Sequence, residues 1–244
     1  MSIALSRLAF TAYIRIAGPT HITATPFGQF GADPRCAPSE WCFFDARCAA
    51  DQVDALLQTA NACWSPDQTN RCIMGHDPAT LSYLEPTLAA LGWKLHQMPL
   101  MIHERPPELA INLAVKIQVV DAATDALYHE IGGRWATPSV HEHRRVQDAR
   151  LGGEGLIAWL DGEPAGYGGW YLADGLARYR RLGTLPHARK KHVCTTLVRY
   201  VQDHPVVRAQ EALVIGGGGG TPVYLRCGFV PRGMLWTFIS PSPA

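Results

Sequence analysis

Apolar and polar positions along the chain follow two alternating periodicities. Val53, Leu56, Leu57 and Ala60 recur at i, i+3, i+4 and i+7 behind Asp51, which predicts a capped helix. Pro78 to Leu91 reads as a second helix with Gly92 as its stop, and the apolar run Leu95 to His103 reads as a strand. Leu113 to Val120 predicts another strand, followed by a helix over Ala122–Ile131 that Gly132-Gly133 breaks. Pro138 opens a helix over Ser139–Gln147, at a position where its missing N–H costs nothing. The clearest β signal is Gly155–Leu160, an Asp161-Gly162 hairpin turn and Ala165–Leu172, with a third strand at Ala177–Leu185. A helix at Val193–Gln202, a buried strand at Ala212–Ile215, a short helix at Pro222–Cys227 stopped by Gly228 and a strand at Leu235–Ile239 complete the pattern.

Residues 1–50 differ in texture. They are rich in Pro, Gly, Thr and aromatics and predict short strands and loops. Arg105-Pro106-Pro107-Glu108 is a linker signal, because Pro-Pro neither continues a helix nor sits inside a sheet. The division expected is therefore 1–107 and 108–244, the second part an α+β domain. Its 47% hydrophobic content over 244 residues supports a sizeable core without staples. A formal net charge of +1 argues against a dedicated nucleic-acid binder. There is no 18-residue apolar run, and the arginine-interrupted start MSIALSRLAFTAYIRIAG does not read as a leader, so no membrane partner is expected. The seven cysteines read as free thiols in a reducing, cytoplasmic setting. Cys36, Cys42 and Cys48 lack the tight spacing of a zinc pair, so no metal is expected.

Charge becomes informative locally. Gly175 through Gln202 contains no Asp or Glu but holds Arg178, Arg180, Arg181, Arg189, Lys190, Lys191 and Arg199. The densest part, Arg189-Lys190-Lys191-His192, stands between a predicted strand and a predicted helix. A helix N-terminus presents unpaired N–H groups, and basic side chains beside it make a site suited to phosphate. A solvated basic turn is the alternative.

Thr184-Leu185-Pro186-His187-Ala188-Arg189-Lys190-Lys191-His192-Val193-Cys194-Thr195 resembles the acetyl-CoA loop of the GCN5-related N-acetyltransferases, V/T-x-P-x-x-R-x-x-G-x-G/A. Further on, Gly220-Thr221-Pro222-Val223-Tyr224-Leu225-Arg226-Cys227-Gly228-Phe229 is similar to the family's G-x-P-x-Y-x-R-x-G-F segment. The resemblance covers about residues 113–240. It implies a mixed, mostly antiparallel central sheet flanked by helices, an α/β sandwich. It further implies acetyl-CoA as co-substrate and transfer of an acetyl group to a primary amine of a small molecule or peptide. A catalytically weak acyl-CoA-binding or sensory module on the same fold is the alternative. Backbone groups of the splayed strand, Leu182 to Leu185, would then meet the pantetheine arm. Arg189, Lys190, Lys191, His192, Val193, Cys194 and Thr195 would wrap the diphosphate beside Thr184. Tyr224 matches the tyrosine that protonates the departing thiolate.

His192 replaces the family's first loop glycine, Cys194 stands at the second glycine or alanine, and Gly217 replaces a frequent Ser or Asn. The strand before the loop carries no carboxylate, so the general base is left among Glu154, Glu211, a histidine of 139–147 and water. Cys194 reads either as a small filler or as a nucleophile activated at a helix N-terminus. Gly216 to Gly220 lacks the Lys-Ser/Thr of a P-loop and reads as a substrate-side loop. Trp159, Trp170, Tyr171 and Tyr179 are expected in the core, with some available to an acceptor pocket. Tyr83–Trp93 echoes Tyr224–Phe229, so the N-terminal half is expected to be a partial, non-catalytic copy of the fold. A monomer or homodimer is expected.

Overall fold

The structure is a computed structural model that describes residues 3–9, 22–31, 41–44, 46–64, 71–132 and 149–241. It divides into two compact units, Met1–Leu100 with Arg232–Ala244, and Met101–Pro231. The predicted helix at Ser139–Gln147, with His141 and His143, lies outside the described residues.

In the first unit, strands β1 (Ile22–Thr25), β2 (Gly28–Gly31) and β3 (Trp41–Phe44) form an antiparallel meander, and β3 pairs in parallel with β4 (Arg71–Gly75). Helix α1 (Val53–Cys63) joins β3 to β4, as a parallel connection requires. Helix α2 (Pro78–Ala90) follows β4 and leads through Gly92, at φ 78°, to β5 (Lys94–His103). Asp77 caps α2, accepting from Thr80 N–H at 2.8 Å and Thr80 Oγ1 at 2.7 Å. The core gathers Leu56, Ile73, Leu84, Leu88, Trp236 and Phe238, all buried. Trp236 and Phe238 come from the last strand, which pairs antiparallel with β4. That pairing needs Gly75, because a Cβ there would sit 2.3 Å from the Trp236 ring.

In the second unit, β6 (Lys116–Val119) is shorter than the predicted Leu113–Val120. Asn112 Oδ1 accepts the Ala114 N–H and holds residues 112–114 in a turn. Helix α3 (Asp125–Gly132) starts later than expected because Asp121 Oδ1 accepts from the N–H groups of Ala123 and Thr124. Strands β7 (Glu154–Leu160), β8 (Glu163–Ala173) and β9 (Leu176–Thr184) form successive hairpins across two Asp-Gly turns, Asp161-Gly162 and Asp174-Gly175. All four turn residues have positive φ, as the tight hairpin turn demands. Helix α4 (Val193–Asp203) lays Val193, Leu197, Val198 and Val201 on the sheet, an i, i+4, i+5, i+8 stripe. Short helix α5 (Pro205–Arg208), strand β10 (Ala212–Gly216), helix α6 (Thr221–Arg226) and strand β11 (Phe229–Ile239) follow. Sheet order in this unit is β10-β9-β8-β7-β6, antiparallel except for the parallel β9/β10 pair. Both units thus contain an α+β arrangement with helices packed on a mixed sheet. The chain crosses between units within β5 and returns within β11.

Candidate functional site

Two features of β9 open the second unit's sheet. Pairing with β10 is confined to Leu176–Arg178 against Ala212–Val214, and beyond it the two strands part. Further along, the β8 register jumps from Tyr167↔Gly183 to Gly169↔Arg180, so β9 carries one extra residue, a bulge at Arg181–Leu182. Arg181 takes a left-handed φ of 43° within it. Leu185 N–H donates to the Ala165 carbonyl at 2.9 Å on the β8 side. By strand alternation, Thr184 turns its own N–H and carbonyl toward the open edge.

Beyond Thr184 the chain makes a short 3₁₀ turn, Pro186–Ala188, and then the basic loop. Lys190 and His192 have φ 63° and 59°, and successive N–H groups in such a loop converge on one side as an anion-binding concavity. The first intrahelical bond of α4 is Thr196 N–H to the His192 carbonyl at 3.0 Å, so the N–H groups of Val193, Cys194 and Thr195 precede the hydrogen-bonded ladder. A cavity of about 400 Å³ opens here. Thr184, Arg189, Lys190, His192, Cys194 and Thr195 line it, with Val193 beside them. Of the residues expected at a nucleotide site, Leu182, Leu185 and Lys191 stand outside the lining. Leu182 packs against the core cluster, over Gly168. Leu109, Ala188, Val223 and Arg226 also line the cavity and were not singled out from sequence. Arg226 had a signal, since it stands two residues after Tyr224 within the second motif, whereas Leu109 lies beside the linker and had none.

Tyr224 lies on α6, is 7% exposed and does not line the cavity. Its ring stacks on the backbone of Gly220, where a Cβ would lie 2.6 Å from the hydroxyl, and meets Phe229 edge-on at 6.4 Å between centroids. Gly220 therefore serves close packing, not loop freedom. Burial drives the Tyr224 phenol pKa well above its ordinary value, with the neighbouring Cys194 and Cys227 adding to the shift. Burial also pushes the Cys194 thiol up to about 11. This favours the reading of Cys194 as a packed filler: a thiol so raised is not a nucleophile near neutral pH.

Neither candidate carboxylate is near the opening. Glu211 N–H donates to the Gly175 carbonyl, at the end where β9 and β10 are still paired. Glu154 accepts from Trp170 Nε1 at 3.3 Å and faces His204 Nε2 at 3.7 Å, by the C-terminus of α4. Trp170, Tyr171 and Tyr179 are buried, whereas Trp159 is half-buried and lines a separate cavity with Lys116 and Asp161. Among the described residues no helix is long and apolar enough to cross a membrane.

No family model matches the sequence, and no curated protein matches it. Solved structures do. A GCN5-related N-acetyltransferase from Kribbella flavida superposes with a TM-score of 0.72 at 15% identity, over 99% of this chain and 98% of that one. The chain has the GCN5-related N-acetyltransferase fold. A second such protein, from Sphaerobacter thermophilus, has a TM-score of 0.61 at 14% identity, over 91% of this chain and 81% of the other. A conserved protein of unknown function from Staphylococcus epidermidis shares the fold at a TM-score of 0.75 and 16% identity, over 98% and 100% of the two chains. At these identities the likeness is one of fold. The acetyltransferase fold accounts for the mostly antiparallel sheet and its parting strands, and leaves the chemistry to be argued from the cavity.

Proposed function

We propose that the chain is an acetyl-CoA-dependent N-acetyltransferase acting on a primary amine of a small molecule or peptide. One observation carries the reading: β9 parts from β10 and runs directly into a basic, N–H-rich loop around a cavity of about 400 Å³. The residues present suit a nucleotide thioester. Thr184 offers backbone groups at the open edge to an amide-bearing arm. The loop N–H groups with Arg189 and Lys190 hold a diphosphate through charge-assisted hydrogen bonds. Apolar Leu109 and Val223 cover the less polar part. Bound acetyl-CoA supplies an activated acyl carbonyl for direct attack by a neutral amine in a ternary complex: the C–N bond forms, the C–S bond breaks, and the proton lost from nitrogen passes to water. Backbone N–H groups of the parted strand stabilise negative charge developing on that carbonyl oxygen. Tyr224 lies beside Cys194 but outside the lining, a neutral phenol through burial, so in this reading donation to the departing sulfur requires the phenol to reach the thioester from behind the cavity wall.

A second reading, an acyl-CoA-binding module without turnover, is favoured by one feature: among the described residues no carboxylate lines the cavity. Calorimetric titration with acetyl-CoA tests both readings, and absence of binding at millimolar ligand overturns them together. Thiol release across a panel of primary amines separates them. Turnover with any amine supports the enzyme, and saturable binding without release supports the module.

A further inference from the structure

Residues 104–115 join β5 to β6 as a strap over the basic loop and the helices beside it. Glu104 and Arg105 N–H donate to the Gly228 carbonyl at 3.0 and 3.1 Å, and Glu108 N–H donates to the Arg226 carbonyl at 2.8 Å. Nearer the loop, Asn112 N–H donates to Thr196 Oγ1 at 3.0 Å, and Thr195 Oγ1 donates to the Ala110 carbonyl at 3.2 Å. The Asn112 side chain reaches the loop itself. Its Nδ2 donates to the Lys191 carbonyl at 3.0 Å while its Oδ1 accepts the Ala114 N–H at 3.0 Å. An N–H can only donate, so Ala114 fixes which end of the amide is oxygen and leaves Nδ2 for Lys191.

The bonded carbonyl belongs to the peptide between Lys191 and His192. His192 is held at φ 59°, a value that L residues disfavour and glycine tolerates. Flipping that one peptide would carry His192 to an ordinary negative φ. It would also swing the Lys191 carbonyl from its partner toward the concavity, where its partial negative charge opposes a phosphate. A histidine at this position therefore biases the loop toward an anion-repelling form. Neither Lys191 nor Asn112 lines the cavity, so their hydrogen bond holds the carbonyl outside it.

We propose that Asn112 is a positioning residue for diphosphate binding, a clamp that offsets the cost of His192 in a left-handed conformation. This rests on the proposed acyl-CoA site. The test is a double-mutant cycle between Asn112→Ala and His192→Gly, titrated calorimetrically with CoA and with pantetheine, which lacks the diphosphate. Asn112→Ala is expected to weaken CoA on the order of fivefold, the loss typical of one hydrogen bond, and to leave pantetheine within about twofold by the same measure. In the His192→Gly background the penalty of removing Asn112 should largely vanish, because glycine has no preference for the flipped peptide. Leu113→Ala, an exposed neighbour in the same turn, is the control and should leave CoA affinity unchanged. Equal loss for CoA and pantetheine, no loss for either, or the same Asn112 penalty in both backgrounds overturns the clamp. Wild-type protein that takes up no CoA overturns the proposed function, and the clamp with it.

Discussion

Burial sets the protonation of the groups beneath the cavity. Cys194 and Cys227 are each pushed up to about 11, chiefly by desolvation, so near pH 8 both are thiols. Alkylation of Cys194 by iodoacetamide, followed by peptide mapping, should be far slower at pH 8 than that of free cysteine and should accelerate only above about pH 10. Labelling at the free-cysteine rate would contradict the packed environment. Burial keeps the Tyr224 phenol protonated as well, which preserves its proton but makes it a weaker donor, so its part in the reaction is decided by substitution. Tyr224→Phe should reduce turnover on the order of a hundredfold while leaving the CoA dissociation constant within about twofold, as removing an interaction made only in the transition state requires. An equal loss in binding would make Tyr224 a packing residue. Arg189 is exposed at the rim of the cavity. Arg189→Ala should weaken CoA by about 1–3 kcal/mol, and the gap to wild type should narrow in molar salt because the contact is open to screening. An unchanged dissociation constant would remove the loop from the site.

At the scale of elements, Asp77 gives a cleaner test because it caps a helix of the first unit and does not line the cavity. Its carboxyl is held below the ordinary carboxylate range, first by the Thr80 hydroxyl and then by the Thr80 N–H. A lowered folded-state pKa means stability that is present above the unfolded value and is lost as pH falls through the folded one. Asp77→Ala should therefore cost about 1 kcal/mol at neutral pH. The difference from wild type in urea unfolding should shrink as the pH drops below the carboxylate range. How much of these elements the sequence revealed follows from where their causes lie. The β7–β8 hairpin was legible because Asp161-Gly162 is a local turn signal, and Asp174-Gly175 carried the same signal for β8–β9. The α4 stripe and the basic loop before it were legible for the same reason, as pattern and charge are local. Strand β11 begins at Phe229, six residues before the predicted Leu235, because Pro231 and Gly233 read as breakers. The bulge at Arg181 was hidden, since a two-against-three register exists only once β8 is alongside. Asn112 was hidden too. Its meaning comes from a carbonyl 79 positions away.

For the whole molecule, the two units share an order of elements but not the chemistry at the matching helix. The first runs α1-β4-α2, Gly92, β5, and the second, with the short α5 inserted, runs α4-α5-β10-α6, Gly228 and the start of β11, with both glycines at positive φ. In the second unit the helix opens behind Arg189, Lys190 and Lys191. In the first, α1 opens behind a 3₁₀ turn at Ala50–Gln52, with Asp51 and Asp54 at its start and Gln52 Oε1 accepting the Ala49 N–H at 3.0 Å. Two carboxylates at a helix N-terminus are favourable to the helix dipole and repel a phosphate from the same place. We therefore expect one CoA site per chain. Calorimetry should give a stoichiometry near one, and Arg189→Ala should weaken that single isotherm without exposing a second. Two equivalents of CoA in the wild type, or a tight site surviving in the variant, would mean that the first unit binds nucleotide despite its acidic helix start.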